Sequence, residues 1–136
     1  MNGITISQVK EKVNWFSTRY SISFVESDIY SLFPQEGEQG WPDSWHNGSL
    51  PGVYMLLDCN KKVIYIGEAV KIGGRLSSYF CYDDNSNCKI KDDSKKDTKY
   101  VISFAVLEKE QYMRWSLEQY LIGELNPPLN TNGRTG

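Results

Sequence analysis

Two short apolar runs separated by a polar joint constrain this chain more than any other feature. The runs are 53–57 (Val-Tyr-Met-Leu-Leu) and 63–66 (Val-Ile-Tyr-Ile), and the joint between them is 58–62 (Asp-Cys-Asn-Lys-Lys). Apolar runs of this length on either side of a polar turn are typical of a β-hairpin. The hairpin would carry one tyrosine on each strand, and we expect the rest of the chain to complete or cover it.

The segment before the hairpin predicts helical structure. Apolar residues recur at helical spacing over 5–20, which indicates an amphipathic helix that packs on the sheet. Thr5 and Gln8 have the spacing of a capping box at its start. A further turn or two of helix is predicted over 28–33, where Pro34 would end it.

The segments after the hairpin predict a helix, a strand and a second helix. Residues 71–80 have apolar side chains at helical spacings, but the glycine pair at 73–74 predicts that the helix begins properly only near Arg75. Residues 100–107 are β-branched and aromatic, as in a strand, and 109–125 predict a helix. The fold class that follows is α+β: a three-stranded, mostly antiparallel sheet flanked by helices, with an N-terminal helical extension.

Two segments are predicted to be loops. Residues 34–52 are rich in Gly, Pro and polar residues, and we expect Trp41 and Trp45 to fix this segment to the domain by burying their indoles. Residues 81–99 are polar and dense in charge, which predicts a long loop of the kind that is functional or disordered. We therefore divide the chain into 1–50, a helix and linker that pack on the domain, and 51–136, the domain itself.

Length and composition indicate one ordinary globular domain. The chain has 136 residues, 40% of them hydrophobic and 24% charged, and no apolar run long enough to cross a bilayer. The N-terminus has no recognisable secretory signal. Three cysteines without a pairing pattern and one histidine argue against a zinc site and favour reduced thiols in the cytoplasm.

The net charge of the chain does not favour binding to nucleic acid, but the local charge of the hairpin region is compatible with it. The net charge is −2, although proteins that bind phosphates usually carry a basic excess. Residues 51–82 are locally positive. Their basic residues are Lys61, Lys62, Lys71 and Arg75, which we predict as nucleic-acid-binding residues.

Glu118 and Arg75 are unusual in their helices. Glu118 lies beside the apolar face of the predicted helix 109–125, where a carboxylate needs a cation, a hydrogen-bond network or a metal. From local sequence alone, a structural pair with Arg or Lys is the simpler interpretation. Arg75 lies among apolar neighbours, so it either recognises phosphate or packs its stem against the core.

The hairpin carries two sequence triplets that resemble the GIY-YIG endonuclease family. Gly52–Tyr54 (Gly-Val-Tyr) matches the first signature triplet with Val in place of Ile, and Tyr65–Gly67 (Tyr-Ile-Gly) matches the second. Their separation is also that of the family. The run from Tyr65 to Phe80 is most similar to the nuclease domain of UvrC-type excinucleases, and the resemblance covers about 51–130.

Further positions agree with the family pattern. Arg75 matches the family arginine, Tyr79 its His-or-Tyr position and Glu118 its metal-binding glutamate. The segment 128–130 (Pro-Leu-Asn) resembles the closing element of the family. The resemblance implies that the catalytic residues are Tyr54, Tyr65, Arg75, Tyr79, Glu118 and Asn130.

The resemblance implies hydrolysis of a phosphodiester, most simply in DNA, with one Mg²⁺ or Mn²⁺. Glu118 would be the metal ligand and Arg75 would hold the scissile phosphate. Either Tyr54 or Tyr65 would act as the general base, and Tyr79 would orient the water or the phosphate. Asn130 would brace these groups. Oligomeric state and the type of nucleic acid stay open.

Position 68 departs from the family pattern. Many relatives carry Lys directly after the second triplet, whereas this chain has Glu68. A lysine there would lower the pKa of a tyrosine hydroxyl, and a glutamate would raise it. Lys71 could substitute for that lysine, or Glu68 could lie harmlessly in solvent. This departure and the acidic net charge leave two alternatives to an active nuclease: an inactive nucleic-acid-binding module and a plain interaction domain.

Overall fold

The protein is built around a main antiparallel sheet with helices on both sides. The computed structural model describes residues 3–34, 45–82 and 88–130. The α+β class is confirmed, and the three predicted strands are the three long strands of the sheet. The elements are α1 (Ile6–Tyr20), β1 (Val25–Glu26), β2 (Tyr30–Ser31), β3 (Gly52–Leu57), β4 (Val63–Ala69), α2 (Ile72–Tyr79), β5 (Phe80–Tyr82), β6 (Cys88–Ile90), β7 (Tyr100–Ala105) and α3 (Met113–Leu125).

The main sheet has the strand order β1-β7-β3-β4, and β2 also pairs with β7. The two short strands β1 and β2 therefore extend the predicted sheet along the outer edge of β7. Strands β5 and β6 form a separate two-stranded sheet. Among the described residues, no helix is long and apolar enough to cross a membrane.

The predicted hairpin is confirmed as β3 and β4. Its turn is closed by Asp58, whose Oδ1 accepts hydrogen bonds from the backbone N–H groups of Asn60 and Lys62 at 2.9 and 3.0 Å. Lys61 takes the left-handed backbone conformation with φ of 58°. An aspartate that bonds the backbone ahead of it is a common way to fix such a turn.

The predicted N-terminal helix is confirmed as α1. Thr5 is the N-cap and forms the reciprocal capping box with Gln8. Val9, Val13 and Phe16 are buried, one turn apart on the same helix face. This face packs α1 on the sheet, in one cluster with residues of β3, β4, β7 and α3.

The predicted helical turn over 28–33 is wrong. The segment contains β2, in which Tyr30 pairs with Val101 and Ser31 with Tyr100. The free edge of β7 supplies backbone partners there, and tertiary pairing overrides a weak local helical pattern. The last helix begins at Met113 rather than 109, because a 3₁₀ turn at Glu108–Glu110 precedes it.

The expected late start of α2 is also wrong. The helix begins at Ile72 and includes both glycines. A Cβ on Gly73 would lie 3.0 Å from the Cα of Gly48, and the Gly73 N–H donates to the Gly48 carbonyl at 2.9 Å. The glycine is thus explained by a close approach of two backbones rather than by a turn before the helix.

The two segments predicted as loops differ in outcome. Trp45 is buried, and its Nε1 donates to Ser77 Oγ of α2 at 3.0 Å, so it fixes its segment as expected. Trp41 lies outside the described residues. The described part of 81–99 is more ordered than predicted, since it holds part of β5, β6 and a 3₁₀ turn at Asp93–Lys95.

Candidate active site

Three tyrosines from three elements meet on the α2 side of the sheet. Tyr54 lies on β3, Tyr65 on β4 and Tyr79 at the end of α2. Their ring centroids are 6.1 to 6.4 Å apart, and the rings of Tyr65 and Tyr79 are perpendicular. The Tyr54 and Tyr79 hydroxyls share a hydrogen bond of 2.8 Å. We call Tyr54, Tyr65 and Tyr79 the tyrosine cluster.

Gly67 makes room for the tyrosine cluster. Tyr54 pairs with Gly67 across the hairpin, and the Tyr54 phenol lies over the glycine. A Cβ at this position would overlap the Tyr54 Oη and Cζ and lie 2.9 Å from Cε2. The final glycine of the second triplet is therefore required by the tyrosine of the first triplet.

Burial separates the two tyrosines that the sequence left as alternatives for the base. Tyr54 is fully buried, and burial together with the Tyr79 hydrogen bond raises its pKa far above the usual value. Burial also raises the pKa of Tyr65, but this residue keeps part of its surface exposed. Both are protonated at neutral pH. Only Tyr65 combines a hydroxyl in the cluster with exposure to solvent, which a base that accepts a proton from water needs.

Arg75 directs its guanidinium at the cluster instead of packing into the core. The residue is exposed on α2. Desolvation lowers the pKa of Arg75, but its electrostatic interactions with Tyr54 and Tyr79 outweigh this and raise it. The packing alternative is not what the structure shows. A cation at this place can hold a phosphate against the tyrosines.

Glu118 of α3 is a half-buried carboxylate near the same cluster. Its hydrogen bond is from Gln119 Nε2 at 3.0 Å, and in the described part of the chain no Lys or Arg forms an ion pair with it. Burial raises the pKa of Glu118 and the Glu68 carboxylate adds to the rise, whereas the Gln119 hydrogen bond and the charge of Arg75 oppose it. The predicted structural pair with a basic residue is therefore absent from the described ranges.

A half-buried carboxylate without a cationic partner fits a hard divalent cation. The described residues contain no group of three or more His, Cys, Asp or Glu side chains that could hold a metal. A cation at Glu118 would thus have at most two His, Cys, Asp or Glu ligands among the described residues. Mg²⁺ accepts such sites, because water and substrate phosphate fill its other positions.

Glu68 is held between β4 and α3. Its carboxylate accepts from Arg114 Nε at 2.7 Å and from Trp115 Nε1 at 2.9 Å. The idea that Glu68 lies harmlessly in solvent is therefore wrong. Its charge is partnered by Arg114, which removes most of the expected penalty of a glutamate at this position.

Asn130 braces the edge of the sheet and not the tyrosines themselves. Its Oδ1 accepts from the Ile66 N–H at 2.8 Å, and its Nδ2 donates to the Ile66 carbonyl at 2.7 Å. The buried amide thus pairs with β4 as a neighbouring strand would. Ile66 follows Tyr65 directly, so this pair of bonds fixes the backbone that carries the tyrosine.

The predicted nucleic-acid-binding lysines lie in different places. Lys71 is exposed directly before α2, and its carbonyl accepts from the Arg75 N–H at 3.2 Å, so the two side chains share one side of the helix. Lys61 lies in the hairpin turn with its Nζ 5.1 Å from the ring centroid of Tyr100. Lys62 lies beside Gly3. Of the three, only Lys71 neighbours Arg75.

Lys95 is a site residue that the sequence analysis missed. Its Nζ lies 4.3 Å from the ring centroid of Tyr65 and 4.9 Å from that of Tyr79. It comes from the 3₁₀ turn in the segment that looked like a solvated loop, and nothing local distinguishes it from the other lysines there. Glu68 was the one indication in the sequence. Many relatives carry a lysine at that position, so a lysine elsewhere in the fold could take its place.

Comparison with known proteins agrees with this geometry. The model of the UvrC-like GIY-YIG domain matches residues 50–131. The chain is 35% identical to UvrABC system protein C of Chlamydia abortus over 80 residues, which are 59% of this chain and 13% of that protein. It is 36% identical to the protein of the same name from Caldicellulosiruptor saccharolyticus over 81 residues, again 59% and 13%.

A third relative, UvrABC system protein C of Desulfotalea psychrophila, is 31% identical over 99 residues, which are 73% of this chain and 15% of that protein. The chain thus spans less than a sixth of the length of these curated relatives. The family match covers more than half of the chain and includes the hairpin, α2 and α3. The chain belongs to the UvrC-like GIY-YIG domain family.

Proposed function

We propose that this protein is a divalent-metal-dependent endonuclease that hydrolyses phosphodiester bonds in DNA. The observation that carries the proposal is the proximity of the tyrosine cluster, Arg75 and the Glu118 carboxylate, which forms no ion pair within the described residues. Membership of a family whose relatives are named UvrABC system protein C supports DNA as the substrate.

In this proposal Glu118 holds Mg²⁺, or Mn²⁺, as the single protein ligand. When bound, such an ion stabilises negative charge on phosphate oxygens. The other groups have their own tasks. Arg75 binds the scissile phosphate, and its proximity to the Tyr54 and Tyr79 hydroxyls supports this role.

Tyr65 accepts the proton of the attacking water, and its partial exposure supports it over Tyr54. Its raised pKa means that cations must stabilise the phenolate. Tyr54 and Tyr79 share a hydrogen bond and orient the water or the phosphate. Asn130 keeps Tyr65 in place through Ile66.

We further propose that 51–136 carry this activity, that 1–50 pack on them, and that the protein acts in the cytoplasm. The burial of Val9, Val13 and Phe16 in one cluster with the sheet supports the second point. Lys71 and Arg75 are the basic residues best placed for the phosphate backbone, whereas Lys61 and Lys62 would contact it only on a longer substrate.

The main alternative is an inactive module that binds nucleic acid. The carboxylate at position 68 favours it, because a basic residue there is what the family resemblance leads one to expect. The partnering of Glu68 by Arg114 weakens that alternative.

The test is cleavage of supercoiled plasmid, linear duplex, single-stranded DNA and RNA, with Mg²⁺ or Mn²⁺ and with EDTA. We expect the wild type to nick DNA only with the metal, and Glu118→Ala to lose at least about 100-fold in rate with an unchanged circular dichroism spectrum. Glu124→Ala, which removes a surface carboxylate of the same helix that pairs with Lys12, is the control. Binding of DNA without cleavage would support the inactive module. Equal cleavage by Glu118→Ala and wild type would refute the metal assignment.

A further inference from the structure

Lys95 is buried although lysine is among the residues most often exposed. Only 8% of its surface is accessible, and its ammonium lies over the rings of both Tyr65 and Tyr79. No other lysine of the described ranges has its ammonium over either ring. Burying a lysine costs free energy unless its surroundings compensate, so its position calls for an explanation.

The turn that carries Lys95 is built to hold the side chain in place. Asp92 Oδ1 accepts from the Ser94 N–H at 3.0 Å and from Ser94 Oγ at 2.7 Å. Lys95 Nζ donates to Ser94 Oγ at 3.0 Å and lies 3.6 Å from Asp92 Oδ2. The Lys95 N–H donates to the Asp92 carbonyl at 2.9 Å. Two residues of the turn, Asp92 and Ser94, thus contact the ammonium from one side, and the two rings contact it from the other.

An ammonium shared by two ring faces restrains both rings. A cation over the face of an aromatic ring is attracted by the ring, and the attraction is strongest at desolvated sites. The rings of Tyr65 and Tyr79 are perpendicular with centroids 6.4 Å apart, so a cation over both faces resists displacement of either ring from its place. The position of each hydroxyl follows from the position of its ring. Lys95 therefore acts on the two hydroxyls at a distance.

We propose that Lys95 is a positioning residue of the nuclease site, which fixes Tyr65 and Tyr79 and supplies, from the turn at 92–95, the positive charge that position 68 lacks. The Glu68 carboxylate binds Arg114 and Trp115, so the positive charge beside Tyr65 and Tyr79 comes from another residue. Lys71, which the sequence offered as the substitute, is exposed before α2. The proposal rests on the proposed nuclease function, whose failure the experiment below separates from its own.

The experiment compares Lys95→Met, Lys95→Arg and Lys99→Met in cleavage of duplex DNA with Mg²⁺. Lys99 is the matched control, because its ammonium lies over an aromatic ring of the same region, that of Phe33, at 4.7 Å. We expect Lys95→Met to lower kcat about 10- to 100-fold with KM within twofold, since small misplacement of catalytic groups has effects of this size. Lys95→Arg should recover most of kcat, and Lys99→Met should equal the wild type.

The NMR signals of the tyrosine rings provide a second measurement that does not depend on cleavage activity. In protein with ¹³C-labelled tyrosine rings, Lys95→Met should shift the Tyr65 and Tyr79 resonances, and Lys99→Met should leave them in place. If the wild type cleaves and Lys95→Met keeps the wild-type kcat, or if Arg is no better than Met, the positioning role is refuted while the nuclease stands. If the wild type does not cleave, the nuclease proposal fails, and unchanged ring signals in Lys95→Met would refute the positioning contact as well.

Discussion

The two sides of the central sheet are built from different chemistry. The side covered by α1 and α3 buries a cluster whose fully covered members are all apolar, among them Val53, Met55 and Ile66. The side covered by α2 buries Tyr30, Tyr54 and Tyr79 with Trp45, and Lys95 is buried against it. Strand alternation sends neighbouring residues of one strand to these opposite environments.

The difference shows where the fold accepts a cost in stability. Buried hydroxyls and cations contribute less to stability than well-packed apolar groups of the same volume, and they need partners. On the α2 side the partners are other members of the site, as in the bond between the Tyr54 and Tyr79 hydroxyls. Local rules of core composition are broken on one side only, which is typical of a functional site.

The largest difference is expected between the arginine beside the tyrosine cluster and an arginine on the other side of the sheet. Arg75→Met should lower the cleavage rate about 1000-fold, because the cation that holds the phosphate is lost. Arg19→Met is its control: Arg19 lies on α1 with its Cζ 5.5 Å from the ring centroid of Tyr20, remote in the fold from α2. The cleavage rate of Arg19→Met should equal that of the wild type. Single-turnover cleavage and thermal unfolding measure both variants, and a loss of folding that accounts for the loss of activity in Arg75→Met would restore the packing interpretation.

The next effect concerns stability and compares two glycines. Gly67→Ala should lower the free energy of unfolding by about 3 kcal/mol, because its Cβ overlaps the buried Tyr54 ring. In Gly123→Ala, on the exposed surface of α3, the Cβ meets nothing within 4 Å. There the higher helix propensity of Ala should raise stability by up to about 1 kcal/mol. Urea unfolding of the two variants and the wild type measures these free energies. Equal effects of the two substitutions would contradict the role of Gly67.

Much of the fold could be predicted because its signals are local. The capping box of Thr5 and Gln8, the polar joint of the hairpin and the β-branched run of β7 each act over a few residues. The helical prediction over 28–33 failed because the open edge of β7, distant in sequence, decides the structure there. The predicted start of α2 was wrong for a similar reason, because Gly73 packs closely against the backbone of Gly48, which is distant in sequence.

The sequence supplied candidate residues for the site but not the contacts between them. The family resemblance supplied six candidate residues, and the structure adds that Asn130 acts through the Ile66 backbone. The sequence also does not indicate that Trp115 is 60% exposed and donates to Glu68. Lys95 could not be recognised, because its burial depends on a turn that brings a polar segment over two aromatic rings.

The central claim is that hydroxyls on the α2 side do chemistry, and a single tyrosine on each side tests it. Tyr65→Phe removes one oxygen from the cluster, whereas Tyr120→Phe removes one from α3, where Tyr120 stacks on Trp15 with centroids 5.1 Å apart. The measurement is the single-turnover rate of duplex cleavage with Mg²⁺ for both variants beside the wild type. We predict a loss of about 100-fold for Tyr65→Phe, as for the removal of a general base, and no loss for Tyr120→Phe. Equal rates for the two variants would contradict the account.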